Sequence, residues 1–364
     1  MSKEIAKSLL HMDLENFYAK SVDMLIGNPP FDSLDYQKLR KIHVRYPRWT
    51  RIFSKMEYIR SVKDSIGEPY SLLIIGESGV GKSTLIEQYV EKHPPRNSVT
   101  GKVVPVLCAR VPRPTSIKSL VERLLQNLGD PFCGKGTTTS MTNRLYSLVA
   151  KCGVELIVLD EFQHFIDAER DKVLSHVADW LKDVINNTKI PIVLVGVPEC
   201  TRVLKVNAQL ARRFSAMEVL SPFEWAGDRK DEFKKFLGHA LDQVPLKNTD
   251  CLRTAGGAQR MFWASEGRVA IISKILKKAV QVALWQQREV LTLEDLAFGY
   301  EEEVGAVDGD DQNPFVGEPP QITAWGRPVR SVIAPSDPPG SKSRKNTSGK
   351  PGKKGDFSAM TSPP

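Results

Sequence analysis

The chain has 364 residues, enough for about two domains with a sizeable buried core, which excludes a peptide-sized or disulfide-stapled fold. Its 51 Lys and Arg against 43 Asp and Glu give a formal charge of +8, a balance that favours polyanionic partners. The five cysteines, Cys108, Cys133, Cys152, Cys200 and Cys251, form no C-x-x-C pair, which argues against a disulfide framework or a zinc site and fits a reducing cytosol. Apolar runs such as 190–197 fall well short of the ~20 residues of a membrane span, and the first residues carry acids where an export signal would be apolar. A soluble cytoplasmic protein with no membrane partner is expected.

Taken along the chain, the predicted elements divide it into four parts. Residues 1–67 read as a mainly helical N-terminal segment. Five short runs rich in Val and Ile follow, at 70–75, 102–108, 154–160, 190–196 and 216–220. Near-continuous apolar strands separated by longer helical segments predict a parallel sheet covered on both faces, an α/β core over 68–225. Two of the intervening segments carry one apolar helical stripe each: Ile117, Leu120, Leu124 and Leu128, then Val173, Val177, Trp180 and Val184. Core packing explains both stripes. After about Gly227 the strand patterns stop, and 231–241, 268–287 and 292–300, the last with Thr292 as N-cap, predict a small all-helical domain over 226–304. From 305 onward Pro and Gly are dense and apolar spacing is lost, so 305–364 is expected to be a mostly disordered C-terminal tail. The tail contributes only +2 of the net charge, which leaves most of the basic excess on the folded part. Its run 341–355 has six basic residues and no acid. That run is either a solvated linker or a tether to DNA or a partner, with Phe315 and Trp325 as anchors.

The chemistry begins after the first strand. Gly76, Glu77, Ser78, Gly79, Val80, Gly81, Lys82, Ser83 and Thr84 fit G-x-x-x-x-G-K-[ST] between a predicted strand and a predicted helix, the context of a phosphate-binding loop. Gly79 and Gly81 let backbone N–H groups turn toward phosphates, Lys82 can reach the β- and γ-phosphates, and the Ser83 hydroxyl can ligate magnesium. The run 156–161 is an apolar strand ending in Asp160 and Glu161, at the sheet edge where open α/β folds bind ligands. Asp160 would orient Mg2+ and its waters, and Glu161 would polarise the water that attacks the γ-phosphate. Lys82 precedes Asp160 by 78 residues, room for one more strand, as in NTPases that use a catalytic Glu. The expected cofactors are ATP and Mg2+, with hydrolysis as the reaction.

These motifs, together with YPRW (46–49), the block 110–131, VLDEFQHF (158–165), IPIVLVGVPE (190–199) and QLARRF (209–214), resemble the TniB/TnsC-type AAA+ regulators of transposition over about residues 35–300. The resemblance implies an AAA+ P-loop NTPase with a parallel-sheet core and a small all-helical lid. In that family an ATP-bound homo-oligomer, often a filament, forms on double-stranded DNA and links a TniQ-type target selector to a DDE transposase of the TniA or TnsB type. Some members serve CRISPR-associated transposons, and nothing in this sequence decides that point. Arg212 and Arg213, just before the last strand, have the position of the arginine finger offered to a neighbouring subunit; an exposed helix end is the other reading. Arg268, after a Gly and at the start of a long helix, has the place of a sensor-two arginine. The strand tip that usually supplies sensor one reads Gly196, Val197, Pro198 and Glu199, which leaves that role unassigned. Carried over by position, the DNA-contacting loops hold Arg110, Arg113, Thr115 and Lys118 in one, and Lys135, Thr137, Thr138 and Arg144 in the other. Such residues suit phosphate contact without base reading, and each loop is equally compatible with a polar connection. His164 has a position where family members often carry a His, and packing beneath the nucleotide site is its simpler role.

Two further functions fit the same core. One is an origin-recognition or helicase-loader AAA+ ATPase, disfavoured because only the tail follows the lid. The other is a nucleotide-binding adaptor with little turnover.

Overall fold

The computed structural model describes residues 44–63, 69–99, 101–166, 171–214, 216–305 and 313–323. Most of the expected helical segment 1–67, the acids at 308–311 and the tail beyond 323, with Trp325 and the basic run, lie outside the described residues.

Helix α1 (Pro47–Ser61) opens with a proline in its first turn, where the missing N–H costs nothing and the fixed φ is helical. Trp49, Ile52, Phe53, Met56 and Ile59 recur at helical spacing and are buried. Five strands then build one parallel sheet: β1 (Leu72–Ile75), β4 (Val106–Arg110), β5 (Leu156–Asp160), β6 (Ile192–Gly196) and β7 (Ala216–Val219), in the order β4-β5-β6-β1-β7. Helices α2 (Lys82–Lys92), α3 (Ile117–Leu128), α4 (Thr138–Lys151), α5 (Gln163–Ile166), α6 (Asp171–Thr188), α7 (Arg202–Lys205) and α8 (Ala208–Arg213) connect them. Because successive strand side chains point to opposite faces, the sheet separates two cores. Leu72, Ile74, Val158, Val193 and Val195 join α1 and α2 on one side. Leu73, Ile75, Ile157, Leu159 and Leu194 meet Leu124, Leu145 and Leu181 on the other. Both predicted stripes are core: Leu120, Leu124 and Leu128 are buried, as are Val177, Trp180 and Val184.

One predicted strand is divided. Within 102–108 the chain first closes an antiparallel hairpin, β2 (Arg96–Ser98) with β3 (Gly101–Val103), and only then enters β4. Pro105 stands between them; it has no N–H for a ladder, while its carbonyl accepts from Glu155 and Leu156 at the start of β5.

The helices after the sheet are α9 (Arg229–Leu241), α10 (Asp250–Arg253), α11 (Ala255–Ser265), α12 (Val269–Trp285) and α13 (Leu293–Tyr300). Thr292 caps α13 through a reciprocal box with Asp295, as its spacing predicts. This bundle shares the core of α1 and α2, through Phe233, Met261, Trp263 and Ile275. Residues 313–323 depart from the expectation of a disordered tail. Arg260 is 6% exposed and donates to the carbonyls of Pro314, at 2.6 Å, and Gly317. Gln259 donates to the Pro320 carbonyl at 2.8 Å, and buried Phe315 packs edge-on to Tyr300. The segment has no helical or strand period because backbone carbonyls and a single aromatic anchor hold it. Among the described residues no helix is long and apolar enough to cross a membrane.

Candidate functional site

The loop Gly76–Gly81 runs from the carboxyl end of β1 into α2. Gly79 and Gly81 take φ of +81° and +96°, left-handed values that suit glycine. The unpaired N–H groups and positive end of α2 then face the loop, the physical basis of an anion site. A second helix start meets the same loop, since Ala270 in the first turn of α12 donates its N–H to the Gly79 carbonyl at 2.9 Å. Lys82 Nζ donates to the Gly76 and Glu77 carbonyls, at 2.7 Å each. Burial lowers its pKa, opposed by the nearby carboxylates of Glu161 and Asp160.

Asp160 ends β5 and is 5% exposed. The Ser83 hydroxyl donates to its Oδ2 at 3.0 Å, and the Glu161 N–H donates to its Oδ1 at 2.9 Å. Burial raises the Asp160 pKa, and these two hydrogen bonds oppose the rise. The two residues expected to meet magnesium therefore already touch, and a hydroxyl beside a buried carboxylate is the hard oxygen pair that this ion takes. Glu161 has φ +57°, a left-handed conformation of the kind that concentrates at functional sites. Its Oε2 accepts from Gln163 Nε2 and lies 3.9 Å from His164 Nε2. His164 donates from Nδ1 to the Val111 carbonyl at 2.9 Å, so its ring is tied to the loop after β4 and stands beside the acid. The sequence does not single out Gln163, and its place two residues after Glu161, just beyond Phe162, is the only signal for it.

Arg268 is the N-cap of α12, with Nη2 3.4 Å from Glu77 Oε2. Its Nε is buried with no hydrogen-bond partner, a donor left over for an anion beside the loop. Two cavities flank α2. One, of about 280 Å³, has apolar and aromatic walls that include Tyr46, Trp49, Val80, Thr84, Val269 and Ile272. The YPRW motif, read only as a family signature, thus supplies part of a wall suited to a flat base. The other cavity, of about 720 Å³, is lined by Ser83, Asp160, Arg110, Arg113, Arg123 and His164, among others.

The remaining candidates divide between the edge of this site and places apart from it. Arg212 and Arg213 end α8, and the Arg213 carbonyl accepts the Ser71 N–H at 2.8 Å. Their backbone thus sits at the amino end of β1, roughly 13 Å along the strand from its phosphate-loop end, and they do not join this chain's own loop. Arg110 pairs in register with Asp160 and places Nε 4.0 Å from its Oδ2. Arg113 lines the larger cavity, the Thr115 hydroxyl donates to the Pro112 carbonyl at 3.0 Å, and Lys118 is exposed in the first turn of α3. Lys135 lies over the Phe132 ring at 5.4 Å and Thr137 caps α4 by accepting the Ser140 N–H, both outside that cavity. Arg144 is turned inward: it binds Asp130 at 2.6 Å and the carbonyls of Phe132 and Lys135. It holds its own loop together.

The fold has relatives of known structure. Cdc6p of Pyrobaculum aerophilum superposes with a TM-score of 0.56 at 14% identity, over 74% of this chain and 71% of that one. The Aeropyrum pernix ORC2 protein in its ADP form gives 0.54 at 14%, over 75% and 74%. The Aeropyrum pernix ORC1 protein in complex with DNA gives 0.52 at 13%, over 73% and 68%. At such identities the likeness establishes the fold alone, a five-stranded parallel-sheet core followed by a helical bundle. No curated protein matches the sequence. Residues 36–224 match the family model described as Bacterial TniB protein, a span that contains the phosphate loop, Asp160 and Glu161, and covers more than half of the chain. The chain belongs to the TniB family.

Proposed function

We propose that this protein is an ATP-dependent, DNA-binding regulator of transposition, which assembles on target double-stranded DNA and links a TniQ-type target selector to a DDE transposase of the TniA or TnsB type. The observation that carries the reading is the meeting of Ser83, Asp160 and Glu161 beside a phosphate loop, in a chain of the TniB family.

The base of ATP would rest against Tyr46, Trp49 and Val269, while the loop amides and the start of α2 receive the phosphates. Lys82 would exchange its two carbonyl partners for phosphate oxygens, and Arg268 would add its unused donor from the lid. Ser83 and Asp160 are the residues that would hold Mg2+, whose contribution is to neutralise charge on the phosphates. Glu161 would accept a proton from the attacking water as general base. Arg212 and Arg213 lie too far from their own loop to serve it. Their use as arginine fingers requires a neighbouring copy, hence a homo-oligomer, whether filament or ring. Arg110, Arg113, Thr115 and Lys118, with Lys135 and Thr137, would contact DNA phosphates, fixing position without reading sequence.

Electron microscopy and sedimentation with a non-hydrolysable ATP analogue, with and without duplex DNA, test the reading. ATP-dependent oligomers on DNA are expected, and monomers under every condition overturn it. Phosphate release by wild type and by Glu161→Gln tests the reaction, since equal rates would remove the acid from catalysis.

A further inference from the structure

The tip of β6 carries Gly196 where an AAA+ strand usually presents a polar side chain, and Gln163 fills the space above it. A Cβ at position 196 would lie 2.8 Å from Gln163 Oε1 and 2.4 Å from Cys200 Sγ, so the absence of a side chain there is what admits the glutamine. The turn between Asp160 and Gln163 is fastened to the same strand, because the Phe162 N–H donates to the Val195 carbonyl at 2.9 Å. From this place Gln163 Nε2 donates to Glu161 Oε2. His164 cannot do so while neutral: its Nδ1 proton is committed to the Val111 carbonyl, and its Nε2 lies 3.9 Å from the carboxylate, beyond hydrogen-bond range. The other half of the amide points the same way. Gln163 Oε1 is buried with no hydrogen-bond partner, an arrangement that disfavours the folded state. Packing alone would not select an amide here, whereas holding a left-handed Glu161 in one orientation requires a donor at this point.

We infer that Gln163 is the positioning residue for Glu161, acting from the sensor-one place at the tip of β6 that Gly196 leaves open. The inference rests on the reading of the site as an ATP hydrolase.

The test compares wild type, Gln163→Ala and Gln163→Met, the last similar in volume but without a donor, and repeats Gln163→Met in a Glu161→Gln background. Misplacement of a reacting group by about 1 Å can lower a rate by about 10²-fold. Both single variants should therefore lose roughly 10- to 100-fold in kcat, while KM for ATP and the affinity for a non-hydrolysable analogue stay within about twofold. Hydrogen exchange should rise over 160–166 and remain unchanged over 72–92. In the Glu161→Gln background, removing Gln163 should lower turnover no further, because the two residues act as one unit. Wild-type kcat in Gln163→Met overturns the assignment. So does loss of analogue affinity in step with kcat, or a further full loss in the double variant. If wild type binds ATP but turns none over, the hydrolase reading falls and this assignment with it; wild-type turnover with unaffected variants removes this assignment alone.

Discussion

Gly267 and Gly227 offer a paired test of how the lid is held on the phosphate loop. Gly267 has φ +73°, and its carbonyl accepts the Phe223 N–H at 2.9 Å. A Cβ there would lie 2.2 Å from the Phe223 carbonyl oxygen and 2.8 Å from its nitrogen, contacts that real Cβ atoms do not make. Gly267→Ala must therefore push the two backbones apart by about 1 Å, given these sub-contact distances. The left-handed conformation costs an alanine about 1–2 kcal/mol. The displaced hydrogen bond and its buried donor add about 1–3 kcal/mol, for a total of roughly 2–5 kcal/mol. Gly227 has φ +49° with nothing within 4 Å of a built Cβ, so Gly227→Ala should cost only about 1–2 kcal/mol. Gly267 directly precedes Arg268, and two residues beyond that lies the N–H that binds Gly79. The shift therefore reaches the nucleotide site, and losing even one net hydrogen bond there, about 1.4 kcal/mol, weakens a nucleotide about tenfold. Urea unfolding and titration of a fluorescent ATP analogue read both effects. Equal destabilisation by the two substitutions, or wild-type nucleotide affinity in Gly267→Ala, would refute the reasoning.

Four further outcomes are expected. Lys82→Ala should lose ATP-analogue binding and assembly on DNA, whereas Glu161→Gln should keep both and lose turnover by at least about 10²-fold in a phosphate-release assay. Arg212→Ala and Arg213→Ala should spare nucleotide binding but abolish DNA-stimulated turnover; full turnover in both variants would exclude them as fingers. Burial opposes ionisation of Glu57, but hydrogen bonds from Arg60, Lys92 and His93 outweigh it and lower its pKa from 4.5 to about 2. A depressed carboxyl stabilises the fold above its ordinary pKa and loses that contribution as pH falls toward the folded value, so Glu57→Gln should lower Tm at pH 7 and the difference should fade between pH 4.5 and 2. Arg260→Met removes two hydrogen bonds from a charged donor, worth about 1.5–3 kcal/mol each before the freed carbonyls regain water; limited proteolysis within 313–323 should accelerate at least about tenfold, matching a net loss of about 1.4 kcal/mol or more.

What the sequence discloses and what it hides have separate physical origins. The five strands and the two stripes on α3 and α6 were legible because burial on both faces of a sheet, or on one face of a helix, writes itself as local periodicity. The phosphate loop and the Asp160–Glu161 pair were legible because their backbone requirements demand particular residues at fixed spacing. Pro105 was visible, yet its effect on 102–108 depends on where β5 begins, which no local window contains. The seat of residues 313–323 was hidden for a similar reason: its partner, Arg260, lies 54 residues before Pro314, and an arginine inside an amphipathic helix carries no mark of what it will bind. Arg144 shows the same limit from the other side: its charge was visible, but not its pairing with Asp130, 14 residues away.

The placement of YPRW ties these levels together. Tyr46 lines the apolar cavity beside the phosphate loop and packs on Phe223 and Phe236, at ring separations of 4.9 and 5.6 Å. Arg48 binds Glu232 on α9 at 3.1 Å and the Ser221 hydroxyl, between β7 and the lid, at 2.7 Å. Further along the same helix, Arg51 and Lys55 hold the buried Glu218 carboxylate on β7. One helix thus touches the base-sized cavity, the edge strand and the first lid helix at once. A group occupying that cavity cannot shift Tyr46 without loading the Phe223 contact, and Phe223 is the residue whose N–H binds Gly267 next to Arg268. The lid is therefore linked to the nucleotide site from both ends, by α1 beside the base cavity and by the start of α12 beside the phosphate loop. The acid at Glu161 lies elsewhere, beside His164, whose ring is hydrogen-bonded through the Val111 carbonyl to the loop that carries Arg113. If DNA binds at that loop, nucleotide occupancy and DNA contact reach the site through different elements, so a substitution at Tyr46 and one at His164 should separate ATP affinity from DNA-stimulated turnover.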